Sequence, residues 1–457
     1  MKIIHILGSG PVGVITASFL LSKGYKVTLI DNSSEGTQKI KNEKEFTLKK
    51  FKNIFSDNIV TFKKGRAALP VSSSVVGGYS EVWGGTLDIY DEEDFKTWDS
   101  NNQNLKKYYL YILESLDLPV YYSEEKQQIK NIEDLQNIED IYINIYEKYQ
   151  KNKEKINASK IYFKYSTLFL KNNKIWSSRI LLQELKEEYK KSFKHVDNFE
   201  ATDIEEENNR IVIKSDTKSI DILDSKLFIA AGALSSSLLA CKFLNEENFK
   251  LKNSDLKVVP LIWIGKKGKT ESTKTYPQLY INFLRKNEYT IRTQVYNLNN
   301  NLLKSLNLNK YFIKSIKFIN YLVGKRIFLM FVYSHSSESS FSSFKIVNDV
   351  IKHQKINKVK NNNFKYIFIK LIKTMLSSKL IPVPVYKKFT SYGSFHYGSS
   401  LSDKFYENNT IKVNEYGQLN PKSDIHFIDS SIMRDIPSGP ITFSSMAIAL
   451  NVVNKSL

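Results

Sequence analysis

The sequence predicts an α/β fold: a parallel-sheet domain assembled from separated stretches of chain, joined to an α+β domain built on an antiparallel sheet. Three observations carry this. A strand, a glycine turn and a helix follow one another at residues 2–21. A buried-strand pattern ending in small residues recurs at 226–234. Further on, apolar runs at 258–264, 279–283 and 327–333 have strand length and strand composition. The chain's 457 residues exceed a typical single domain, so two domains crossed by one chain are expected.

The first element is the apolar run Lys2-Ile3-Ile4-His5-Ile6-Leu7, and Gly8-Ser9-Gly10-Pro11-Val12-Gly13 follows it into the helical pattern Val14 to Leu21. Such a turn needs its first glycine to reverse the chain, its second to admit a pyrophosphate, and its third to let helix and strand touch. The phosphates then meet the positive helix end. Gly24 closes the helix, and Tyr25 to Ile30 is a second strand ending in Asp31, placed to hold a ribose hydroxyl. The whole unit predicts a Rossmann-like dinucleotide site, and the acid disfavours a 2′-phosphate, hence NADP.

Residues 77–85 read Gly-Gly-Tyr-Ser-Glu-Val-Trp-Gly-Gly, a loop whose amides and small side chains can lie flat against a ligand. Residues 226–234, Lys-Leu-Phe-Ile-Ala-Ala-Gly-Ala-Leu, end a strand where a larger side chain would strike something bound above it. The C-terminal part contains Gly393-Ser394-Phe395-His396-Tyr397-Gly398, Phe427-Ile428-Asp429-Ser430-Ser431, and Pro437-Ser438-Gly439-Pro440 running into a helical pattern from Ile441 to Leu450. Through these four segments the chain resembles the glucose-methanol-choline (GMC) family of FAD-dependent oxidoreductases. The stretch Phe95 to Trp98 followed by Asn104 to Tyr109 is similar to the helical connection after the glycine loop in sugar-oxidising members.

The resemblance implies FAD held by Gly8, Gly10, Pro11, Val12, Gly13 and Asp31 at one end. Gly77, Gly78, Ser80, Val82, Trp83, Gly84, Ala231 and Gly232 would line it. Asp429 and Ser430 would serve the ribityl or pyrophosphate portion, and the amides at Ile441 and Thr442 the pyrimidine edge. His396 would take the hydroxyl proton while hydride leaves the substrate carbon, a task suited to imidazole. Where the family places a second histidine or an asparagine, this chain has Pro440; Thr442, Ser438 or a residue of the middle domain would have to replace it. Where some relatives attach flavin through a histidine, this chain has Val82, so the FAD is expected to be non-covalent.

The other histidines lack that context: His5, His195 and His426 lie in or beside strands, His353 in a lysine-rich stretch expected to be solvated, and His335 in a serine-rich turn. Cys241 is the sole cysteine, which excludes an internal disulfide framework. No histidine and carboxylate spacing suits a metal.

The net charge of +20 suggests nucleic acid, but lysines outnumber arginines roughly eight to one, and phosphate or base recognition favours arginine. Nucleic acid is therefore not expected as a partner. Residues 300–390 carry 17 basic and 2 acidic side chains together with two basic, apolar helical patterns at 311–322 and 364–376. In the first, Phe312, Ile316 and Ile319 share a face; neither run is long enough to span a bilayer. Binding to an anionic membrane surface, a lysine-covered face of the second domain, and an anionic soluble substrate all fit this pattern. With no leader before the first strand, a cytoplasmic location is expected, with the inner membrane face as a peripheral site.

The expected FAD-binding domain is discontinuous, 1–90, 186–250 and 390–457, with a small meander at 196–214 whose turn is 205–209. The substrate domain takes 91–185 and 251–389, and 123–160 reads as an exposed helix or lid. The leading functional expectation is oxidation of a CH–OH group on a sugar, lipid-linked sugar or other alcohol. The alternatives are a flavin-dependent isomerase or lyase, motivated by Pro440, and a membrane-surface flavoprotein that does not oxidise alcohols.

Overall fold

Short apolar strands separated by helices can bury both faces only in a parallel sheet covered on each side. The computed structural model has such a sheet. It describes residues 2–33, 60–61, 73, 75–81, 83–90, 94, 105–117, 120–123, 128–131, 138–153, 161–171, 174–265, 276–284, 289–298, 303, 310–347, 350–357, 363–383, 385–389, 394–402 and 411–457. The sheet is five-stranded and parallel, in the order Phe193–Val196, Lys26–Ile30, Ile3–Leu7, Leu227–Ile229, Ile425–Phe427. One face, with Ile4, Ile6, Leu29 and Phe228, packs on the helices Pro11–Ser22, Lys106–Ser115, Ser178–Glu188 and Thr442–Ser456. The other, with Leu7, Ile30, Ile229 and Phe427, packs on the helix Ala233–Phe243 and on the meander. The helix Ser178–Glu188 thus joins this core ahead of the boundary expected near residue 186.

The meander consists of Asp203–Glu207, Arg210–Lys214 and Ser219–Leu223. Its first turn is tighter than expected: Asn208 and Asn209 both adopt positive φ, 47° and 63°, the geometry of a two-residue hairpin. Glu205 to Glu207 therefore belong to a strand, and of the stretch 196–201 expected to begin the meander only Val196 lies in a strand, at the end of the parallel sheet's edge strand Phe193–Val196.

A seven-stranded antiparallel sheet forms the other half. Its central strands are Leu256–Trp263, Ile327–Tyr333, Thr293–Asn297 and Leu279–Phe283, with Ile161–Tyr165 at one edge. The segment expected as a lid instead contributes the helix Asp140–Asn152, which buries Ile141, Tyr142, Ile145 and Tyr149 against this sheet. Its apolar stripe was masked by the polar residues of the opposite face. The helices expected at 311–322 and 364–376 are Lys310–Leu322 and Asn363–Ser377. Between them the hairpin Phe341–Val347 and Val350–Asn357 joins a separate five-stranded sheet that packs on Ala233–Phe243. His353 lies on that hairpin, half-buried beside Phe344 and not solvated. Among the described residues no helix is long and apolar enough to cross a membrane.

Candidate active site

The glycine turn fits its backbone without slack. Gly8 has φ +110°, and a Cβ there would sit 2.3 Å from the Ala230 carbonyl oxygen. A Cβ on Gly13 would sit 1.9 Å from Gly8 O, so helix and strand touch where the pattern demands it. Gly10 differs: nothing lies within 4 Å of its Cβ position, and it caps the helix whose first residue is Pro11. Val12 turns its side chain into the core, and the first-turn amides, like those of any helix start, have no intrahelical acceptors.

Asp31 and the glycine loop are joined to this turn by Ser9. The Ser9 hydroxyl donates to Asp31 Oδ2 and accepts from Gly77 N at 3.2 Å, while Ser33 donates to the same Oδ2 at 2.6 Å. Burial raises the Asp31 pKa, and these hydroxyls act against that rise. A Cβ on Gly78 would lie 3.4 Å from the Gly10 Cα, so the loop leans over the turn. Ser80 donates to Gly77 O at 2.6 Å and accepts from Ser178 N at 2.9 Å, tying the loop to the helix Ser178–Glu188. Trp83 donates to Trp176 O at 2.8 Å and packs on Phe169, and Gly84 lies below the Tyr296 hydroxyl. Val82, Gly393 and the 95–104 stretch lie outside the described residues.

Asp429 is buried and its carboxylate is engaged inside the protein. Oδ2 accepts from Gly232 N at 2.8 Å and from Ser236 Oγ at 2.5 Å; Oδ1 accepts from Ser431 N at 2.9 Å. It thereby fixes the Ala231–Gly232 turn that begins the helix Ala233–Phe243. Ser430 accepts from Ser399 N through its carbonyl at 2.9 Å and donates to Tyr397 O at 3.2 Å, which holds the strand following His396. Tyr397 in turn meets Tyr79 of the glycine loop, hydroxyl to hydroxyl at 2.5 Å.

His396 packs against Tyr333, ring centroids 4.9 Å apart, and its Nδ1 is buried with no hydrogen-bond partner. Burial pulls its pKa down to about 3, so the imidazole is uncharged at neutral pH. Thr442 opens the last helix, half-buried and not the partner of Nδ1. Ser438 is committed elsewhere: it donates to Thr290 O and accepts from Arg292 N at 3.0 Å. Pro440 is fixed by Tyr90, whose hydroxyl donates to its carbonyl at 2.9 Å.

Sequence reasoning missed the group beside His396. The Tyr333 and Tyr296 hydroxyls donate to Gln294 Oε1 at 2.9 and 2.7 Å, and Gln294 Nε2 donates to Tyr280 at 2.8 Å. Burial holds these phenols protonated. Below them Arg292, 1% exposed, pairs with Asp88 and Asp94 at 2.7 Å each, and Lys164 reaches Asp88 at 2.6 Å. The available signal was Arg292 itself, an arginine inside a strand-like run of a chain that otherwise uses lysine. His335 is structural, stacked on Tyr289 at 3.9 Å and accepting from Ser337 N. Among the described residues no three His, Cys, Asp or Glu side chains gather as a metal site.

No protein-family model matches the sequence, and no curated protein matches it. Among solved structures it is similar to pyridoxine 4-oxidase from Mesorbium loti, with a TM-score of 0.64 and 12% sequence identity over 100% of this chain and 99% of that one. That likeness shows a shared fold.

Proposed function

We propose that this chain is a GMC-like oxidoreductase that binds FAD non-covalently in a Rossmann-like domain and oxidises a CH–OH group of a small alcohol or sugar. One observation carries the reading: an open glycine turn at a helix N-terminus and a half-buried, uncharged histidine belong to one framework through Ser9, Gly77, Tyr79 and Tyr397. The fold shared with an oxidase supports the reaction class.

The residues fit the cofactor. Gly10 leaves room for a pyrophosphate against the helix amides, Asp31 would hold a ribose hydroxyl, and the Gly77–Gly78 and Ala231–Gly232 backbones would flank the isoalloxazine. Asp429 acts by positioning Gly232. The bound flavin supplies the hydride acceptor. The chain's own part is to orient the alcohol and manage its proton. Tyr333, itself held by Gln294, would position the imidazole it packs against, and the neutral His396 would accept the hydroxyl proton at Nε2. The helix start at Ile441 and Thr442 would favour negative charge near it.

The test is the visible spectrum of the purified protein before and after acid precipitation, followed by anaerobic titration with alcohols and sugars. A flavin band released by acid and bleached by one of them is the expected result. A protein that stays colourless after incubation with FAD overturns the reading.

A further inference from the structure

Three helices end at one pole of the seven-stranded sheet. Trp263 N donates to Arg326 O and Ile264 N to Lys379 O, both at 3.0 Å, so the turns after Lys310–Leu322 and Asn363–Ser377 flank one strand end. Asn152 Nδ2 donates to Ser377 O at 2.9 Å, which brings the end of Asp140–Asn152 to the same place. On the helix Lys310–Leu322, Ile316 faces inward, but Ile319, expected on the same face, is exposed, and so are Phe318, Tyr321 and Leu322, the last two at 76% and 64%. Ile264 and Leu376, 50% and 49% exposed, lie on the strand end and helix end that these bonds bring together. Single exposed apolar side chains are ordinary, but a contiguous set is a contact surface.

Among the described residues the charge at these helix ends is mostly positive. Lys151, Lys153, Lys325, Lys373 and Lys379 are exposed at or beside these helix ends. The acids described on these three helices are Asp140, at the opposite end of Asp140–Asn152, and Glu147, one turn before Lys151. An aromatic and aliphatic cap ringed by lysines complements a surface that is apolar beneath and anionic above.

We propose that this pole docks on an anionic lipid bilayer, with Tyr321, Leu322, Ile264 and Leu376 entering the headgroup boundary and the lysines meeting lipid phosphates. The measurement is co-sedimentation with vesicles of phosphatidylcholine alone or mixed with phosphatidylglycerol, at low and high salt. Wild type should partition onto the mixed vesicles at low salt and little onto neutral ones. Lys151→Glu with Lys373→Glu, both on ordinary helical backbone, should lower that partition more than about tenfold. Leu322→Ser with Leu376→Ser should lower it too, with melting curves confirming that each variant is folded. Wild type left in the supernatant, or folded variants that partition like wild type, would overturn the proposal. So would a dimer that the leucine variants split without any vesicle binding, which would assign the surface to a second copy of the chain.

Discussion

In the proposed reaction His396 would take the substrate's hydroxyl proton. His396→Gln is expected to keep the flavin spectrum while lowering kcat roughly 10²- to 10⁴-fold, the range of a lost general base; a variant with unchanged turnover would remove the residue from the mechanism. His426 makes a separate, pH-dependent prediction. It is 1% exposed, bonded through Nδ1 to Tyr416 O, and burial lowers its pKa to about 4. In the unfolded chain it gains a proton below about 6.5, whereas the folded state refuses one until about 4, so acid favours unfolding across that window. The stability advantage of wild type over His426→Gln should therefore shrink by about 1.4 kcal/mol per pH unit as pH falls from 6.5, read from denaturant curves at each pH. The sequence singled out His396 because it stands among glycine and serine, outside any apolar run. It did not single out Tyr333 and Gln294, which the structure puts beside it, because a tyrosine in a strand looks the same whatever it packs against.

At the scale of elements, the glycine turn at residues 8–13 separates a packing glycine from one proposed to admit the cofactor. Gly13→Ala forces a Cβ into Gly8 O and should cost about 1–3 kcal/mol or more of stability. Gly10→Ala meets no protein atom, so the apo protein should melt near the wild-type temperature while flavin occupancy falls. Equal flavin affinity in Gly10→Ala would count against a pyrophosphate at the turn. Asp429→Ala strips acceptors from Gly232 N, Ser236 and Ser431 N, and each buried donor left unpaired costs about 1–3 kcal/mol; chemical denaturation measures the sum. The first strand, turn and helix were legible because their signals are local and agree. The helix Asp140–Asn152 and the Asn208–Asn209 hairpin were harder, since charged outer faces dominated their composition.

For the whole molecule, the halves are held together in part by an ion cluster that no single segment reveals. Asp88 and Asp94 follow the glycine loop, Arg292 comes from the antiparallel sheet, and Ser438 and Gly439 close over its backbone and stem. Arg292→Met would take the guanidinium from two buried carboxylates, leaving Asp88 with Lys164, and should cost about 3–5 kcal/mol, measured as a shift in the denaturation midpoint. The parallel sheet has a different consequence, in time instead of energy. Its strand Ile425–Phe427 pairs with Leu227–Ile229, and the helix Thr442–Ser456 shares a core with Pro11–Ser22. A ribosome adding about 5–20 residues per second would therefore expose the nascent first helix for tens of seconds before its neighbour emerges. Messages cut short before codon 440 should yield polypeptide that chaperones hold and proteases clear, with no shortened enzyme left behind.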